Sequence, residues 1–381
     1  MAATATTIRS LSVQELNIPL WESFGIAGGA QQIAKNLLVT IELADGTRGY
    51  GEAAPFPSFN GETQKMAFDA INASKSILEG ADVWEWRRLH QEIRRSINGI
   101  GSAQCALETA ILDALTRHSR MPMWAFFGGH STQLETDMTL PIPTLSNENE
   151  GVEHATNFTR TITSSGIKTV KIKVGGDFAL DVKRIEGVRD QAPESSILLD
   201  GNAGYESAEI ALHLLESLGR KGIVPALFEQ PVPKDDLKGL RQLTQNTEVP
   251  IAADESAYNL ASVKRIIDEA AANVVNIKLM KFGVIEAWDS VCLCKAANIG
   301  LMIGGMVESP LSMTMSACFA AGIGGFNYID LDTPFFMESI PLKGGCYRKT
   351  QSPNSGRIEV GPTLDLRGIA EGHGVVPLAT G

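Results

Sequence analysis

Six side chains recur at intervals that could assemble one chemical site: Lys171 and Lys173, then Asp200, Glu229, Asp254 and Lys278. From Lys173 onward the steps are 27, 29, 25 and 24 residues, each close to the length of one strand plus one helix. Three carboxylates brought together cannot all stay ionised without a cation. An all-oxygen set on rigid elements that leaves positions open suits Mg²⁺ better than zinc. Two lysines on opposite sides of such a centre could address opposite faces of a carbon acid, one removing a proton and the other returning it from the far side. A lysine of ordinary pKa, about 10.4, is a poor base at neutral pH. Lys171, two residues before Lys173 on the same strand face, and a divalent metal would both favour the neutral amine of Lys173.

The elements needed to hold these residues can be read from the pattern. "TDMTLPI", "TVKIKV", "SILLDGN", "ALFEQP", "IAADES", "VVNIKLM", "GLMIGGMV" and "YIDLD" are short apolar strands separated by helical stretches. Eight strand–helix units predict an α/β fold with a (β/α)8 barrel, a TIM-like architecture whose active site lies where the strands end. Acids at strand ends can alternatively cap the following helices. Residues 1–130 read differently. "TTIRSLSVQELNIPL" and "NLLVTIELADGTRGYGEAA" alternate as antiparallel strands with a turn at "ADG", and helical periodicity follows from about residue 62. "SAQCALETAILDALTRHS" reads as an amphipathic helix. The expected division is an α+β cap over 1–130, a barrel over 131–340 and a tail over 341–381 that packs back on the cap.

Composition narrows the function. The chain has 381 residues, 44% hydrophobic and 20% charged, and no apolar run approaches the roughly 20 residues of a membrane helix. A net charge of −11 opposes nucleic-acid binding, and Arg87, Arg88, Arg94 and Arg95 recur at helical spacing as a solvated face. Five cysteines without a CxxC pair indicate a reducing compartment, and the N-terminus offers no signal-peptide pattern, so a cytoplasmic location is expected. "GIGSAQ" at 99–104 follows a basic helical stretch instead of a strand and is not read as a dinucleotide loop. Gly304 and Gly305 after strand seven could serve a phosphate or the close approach of a substrate.

"KIK", "DGN", "FEQP", "ADES" and "NIKLMK", in this order and spacing, resemble the enolase superfamily, in the muconate-lactonizing subgroup, and are most similar to its dipeptide epimerases. The resemblance spans essentially the whole chain. It implies Mg²⁺ ligands at Asp200, Glu229 and Asp254, with Asn202 and Glu255 beside them, and acid/base roles for Lys173 and Lys278. Asp330 and Asp332 match the DxD element that holds a dipeptide's α-ammonium group, although Asp332 could instead cap a helix at Pro334. Thr139 and Glu308 are further candidates for substrate contact. Loops 21–32 and 55–61 would set specificity. Epimerases of Ala-Glu carry an arginine at a position that falls here at Gly29, beside Gly28, while Phe24, Ile26, Phe56 and Phe59 suggest an apolar side-chain pocket or cap core. The implied activity is epimerisation of the C-terminal residue of an L,L-dipeptide through an enolate, in a monomer or a homo-oligomer. A cycloisomerase, an o-succinylbenzoate synthase-type lyase or a catalytically silent metal-binding barrel are the alternatives.

Overall fold

The computed structural model describes residues 4–26, 29–97, 99–142, 148–350 and 357–378. Strands Ile8–Ile26, Gly29–Leu43 and Arg48–Ala53 form an antiparallel sheet, with the turn between the last two at Asp45 and Gly46, the latter at φ +88°. This sheet packs on helix Gly101–His118, and the approach is close. A Cβ on Gly49 or Gly51 would lie 2.2 Å or 2.0 Å from the carbonyl oxygens of Ala110 or Ala106, so only glycine fits there. The helix is buried all round from Gly101 to Thr116 and not amphipathic as its sequence suggests. It lies between the cap sheet and barrel helix Leu279–Ala296, so it has no solvent face. The "GIGSAQ" segment opens this helix, and its first N–H groups are taken by Glu62, at 2.8 Å from Gly101 N and 3.1 Å from Ser102 N. The basic face of Trp86–Ser96 is laced by ion pairs of Arg87 with Asp289, Arg88 with Glu85 and Glu92, and Arg94 with Glu286.

Eight parallel strands follow, paired in sequence order: Met138–Leu140, Thr169–Lys173, Ser196–Asp200, Leu227–Glu229, Ile251–Ala253, Val274–Ile277, Gly300–Ile303 and Tyr328–Ile329. They are strands one to eight below. Strands eight and one meet at a seam where Asp137 N donates to Ile329 O at 3.0 Å and Leu331 N to Thr136 Oγ1 at 2.9 Å. Below the polar mouth, Leu198, Leu227, Ala252, Val274 and Met302 form a small apolar cluster with Tyr328 against it, which floors the site. After the barrel, Leu342–Gly344 pairs with Val375–Pro377 and Thr363–Asp365 pairs with Gln133–Glu135. Arg117 of the cap helix donates to Val375 O at 2.9 Å, tying the tail to the cap. No helix among the described residues is long and apolar enough to cross a membrane.

Cap and barrel are joined by two buried carboxylates. Glu108 accepts from Val284 N at 2.7 Å and Ile285 N at 2.9 Å, where Gly283 (φ +70°) breaks helix Leu279–Ala296 and exposes fresh N–H groups. Glu52 accepts from Asn36 Nδ2 (2.7 Å), Ser309 N (2.9 Å), Ser309 Oγ (2.7 Å) and Ser312 N (3.1 Å), across the start of helix Pro310–Ile323. Burial raises the Glu52 carboxyl above its usual range even though these donors oppose the shift. Glu52→Ala would strand the donors in a dry joint and is expected to cost about 3 kcal/mol, read as a lowered midpoint in urea. A midpoint unchanged from wild type would show that the joint does not depend on it.

Candidate active site

Register places the carboxylates and lysines at one height. Lys173 pairs with Asp200 and Asp200 with Glu229 across strands two, three and four, while Asp254 and Lys278 directly follow strands five and six. Because side chains alternate along a strand, Lys171 and Lys173 both face inward. Asp200, Glu229 and Asp254 are fully buried, and Lys171, Lys173 and Lys278 are at most 4% exposed.

The charges interlock. Lys171 Nζ lies 3.0 Å from Asp200 Oδ2, 2.7 Å from Glu229 Oε2 and 2.6 Å from Asp330 Oδ2. Lys173 Nζ meets the same Asp200 oxygen at 2.5 Å, so the two ammonium groups are neighbours. Lys278 Nζ lies 2.6 Å from Asp254 Oδ2, and Lys281 Nζ 2.6 Å from Asp254 Oδ1. Asn276 Nδ2 donates to Glu229 Oε1 at 2.6 Å. Burial opposes ionisation of all three carboxyls, but the outcome differs with the neighbours. Lys173, Lys171 and Lys278 hold Asp200 well below its ordinary value, and Lys278 and Lys281 bring Asp254 to about 2. For Glu229, burial and Asp200 dominate and push it to about 7. Lys171 was expected to favour the neutral amine of Lys173 as a neighbouring cation. Its burial is outweighed by Asp330, Glu229 and Asp200, which raise it well above the usual lysine range, so it is a counter-ion to three carboxylates.

The site fits a hard divalent cation. Asp137, Asp200, Glu229, Asp254, Glu255, Asp330 and Asp332 converge here, and the lysines among them are Lys171, Lys173, Lys278 and Lys281. Seven carboxyls against four ammonium groups leave an excess of acid. Among the described residues, Asn202 Oδ1 and Glu255 Oε2 are buried and lack a hydrogen-bond partner. Asn202 Nδ2 donates to Glu255 Oε1 at 3.2 Å, and burial with the nearby Asp254 raises Glu255 to about 8.

The other sequence candidates separate into two groups. A cavity of about 20 Å³, room for about one water, is lined by Lys173, Lys278, Asn202, Asp330, Asp332, Thr139, Phe56 and Phe59, among others. The Phe59 ring lies 4.7 Å from Lys278 Nζ. Asp332 does not cap the short helix at Thr333–Phe336 with its side chain; its Oδ2 accepts from Thr139 N at 2.5 Å. Glu308, expected to touch substrate, is absent from this lining. Its carboxylate turns beneath the strand-seven loop to accept from Met306 N, and burial with Glu52 nearby raises it to about 8. Gly29, at a positive φ of +147° that L side chains rarely adopt, faces Ser58 and not the cavity. Gly28 and the side chains of Phe24 and Ile26 lie outside the described residues. Lys281 and Asn276 went unassigned from sequence, although both stand in the quoted "NIKLMK"; Asp137 was also missed.

Two family models match the chain: "Mandelate racemase / muconate lactonizing enzyme, N-terminal domain" over residues 8–128 and "Enolase C-terminal domain-like" over 153–375. The chain belongs to the mandelate racemase/muconate lactonizing enzyme family of the enolase superfamily. Among its relatives is the aromatic dipeptide epimerase of Herpetosiphon aurantiacus, 46% identical over 97% of this chain and 99% of that protein. A mandelate racemase/muconate lactonizing enzyme structure from Roseiflexus sp. superposes with a TM-score of 0.89 at 50% identity, covering 99% of this chain and all of that one. The dipeptide epimerase of Enterococcus faecalis, solved with Mg and L-Leu-L-Tyr, gives 0.89 at 29% identity, covering 97% and 99%.

Proposed function

We propose that this family member is a Mg²⁺-dependent dipeptide epimerase that inverts the α-carbon of the C-terminal residue of an L,L-dipeptide. The observation that carries the reading is one small cavity whose wall holds both Lys173 and Lys278 together with Asp330 and Asp332. Bases on opposite staves serve inversion, and two acids beside them serve a cationic amino terminus. The names and bound ligands of the relatives agree with it. Held by Asp200, Glu229 and Asp254, Mg²⁺ would supply positive charge against the negative charge that gathers on the substrate carboxylate as the α-proton leaves.

The chain's own residues do the rest. Lys173 takes the proton from the L-configured carbon, and Lys278 delivers one to the opposite face of the planar enolate. Asp330 and Asp332 anchor the ammonium group, which fixes the α-carbon between the lysines. Phe56, Phe59 and Met306 line the cavity and favour an apolar C-terminal side chain over glutamate, in keeping with glycine where Ala-Glu epimerases carry arginine. Five free cysteines suit the cytoplasm. Cycloisomerase and lyase substrates offer no cation for the acid pair.

Incubation with a dipeptide library in D₂O and Mg²⁺, followed by mass spectrometry, tests the reading. Gain of one deuterium is expected in dipeptides with apolar or aromatic C-terminal residues, and less in L-Ala-L-Glu. No deuterium gained by any dipeptide would sink it.

A further inference from the structure

Asp137 is a carboxyl group that the proposed chemistry leaves unused. It immediately precedes strand one, two residues before Thr139, and its side chain therefore shares the inward face one layer deeper in the barrel. It is 2% exposed, beside Asp330 at 7% and Asp332 at 1%. One oxygen from each of the three lies within 4.8 Å of the others. The seam between strands eight and one brings them together: Asp137 N donates to Ile329 O at 3.0 Å, and Thr139 N to Asp332 Oδ2 at 2.5 Å.

The three acids are not equally supported. Asp330 has the Lys171 ammonium at 2.6 Å, and Asp332 has the Thr139 N–H. Among the described residues neither oxygen of Asp137 meets a hydrogen-bond donor. A buried carboxylate without a donor, pressed against two others, is the least stable anion of the set. Adding one proton removes the conflict, because the acid then has an O–H and Asp330 offers the acceptor.

We propose that Asp137 is a positioning residue that stays protonated and donates to Asp330, turning the Asp330 carboxylate toward the mouth to receive the substrate's ammonium group. Burial, followed by Asp330 and Asp332, drives the Asp137 carboxyl well above the ordinary range, in the same direction. The acid acts by shape as well as by charge. Lys171 and Asp137 hold Asp330 from two sides, and the substrate cation meets two carboxylates whose third neighbour is neutral. This rests on the reading of Asp330 and Asp332 as the ammonium site.

The test uses the full-length Mg²⁺-loaded protein with the Asp137→Asn and Asp137→Ala variants. Asparagine keeps a neutral donor, so its KM and kcat for the best dipeptide are expected within about threefold of wild type. Alanine removes the donor and is expected to raise KM about tenfold with kcat nearly unchanged. Infrared difference spectra of wild type against Asp137→Asn at pH 7 are expected to show the carbonyl band of a protonated carboxylic acid, a readout that needs no activity. Absence of that band, or an asparagine variant as impaired as the alanine one, overturns the assignment. If wild type exchanges no dipeptide at all, the epimerase reading fails while the infrared band still decides whether Asp137 holds a proton.

Discussion

Alanine in place of Lys173 or Lys278 is expected to cut dipeptide inversion by about 10²–10⁴-fold, the usual contribution of one positioned acid or base. Inversion needs both faces, so either loss is sufficient. Exchange needs only one: in D₂O each variant is expected to keep exchanging the epimer whose α-proton faces the surviving lysine. The Phe59 ring over Lys278 and the Asp200 pair of Lys173 keep the two bases in distinct surroundings, which makes this asymmetry measurable. Both variants should fold, because neither strands a buried carboxylate. Asp200 retains Lys171 at 3.0 Å when Lys173 is removed, and Asp254 retains Lys281 at 2.6 Å when Lys278 is removed. Proton NMR of the two epimers in each variant reads the result. Wild-type inversion in both would rule the lysines out as the bases.

Chelation of the divalent cation is expected to abolish exchange and to lower stability together. With the metal removed, the carboxyl excess at the mouth is unrelieved. Returning Mg²⁺ to 100 times its dissociation constant should restore about 2.7 kcal/mol. The metal-free protein also carries a pH signature. Asp332 is raised to about 7 by burial and by Asp330, and Glu308 to about 8 by burial and by Glu52, both from ordinary carboxyl values near 4. Between about pH 4 and 8 the folded chain therefore binds protons that the unfolded chain has released, so its stability falls as pH rises through that window. Asp200 and Asp254 are shifted the other way and lose their contribution only at more acidic pH, below this window. Thermal melts of chelated protein at pH 5.5 and 8, with and without Mg²⁺, check both effects. A melting temperature indifferent to Mg²⁺ would contradict the metal site.

Much of the site was legible because barrel geometry turns spacing along the chain into height around a ring. One strand and one helix consume a nearly constant length, so Lys173, Asp200, Glu229, Asp254 and Lys278 had to end neighbouring staves, and the period of two had to turn Lys171 the same way as Lys173. Glu308 ends its strand by the same rule but does not line the cavity. The loop after strand seven turns its carboxylate down to Met306 N, a local backbone choice that spacing does not encode. Lys281 was passed over because a lysine in the first turn of a helix reads as solvated until the fold shows Asp254 beside it.

The sequence by itself determined the repeat, the inward faces and the acids and lysines that end the strands, because each follows from the period of a single strand or strand–helix unit. Only the tertiary structure decided which charges meet. Asp137 lies beside Asp330 and Asp332 because the eight-stranded sheet closes at one seam, and Glu52 reaches Ser309 because the cap docks over the barrel. Those partners lie about 190 to 260 residues apart, and the path of the chain between them, not any local pattern, brings them together.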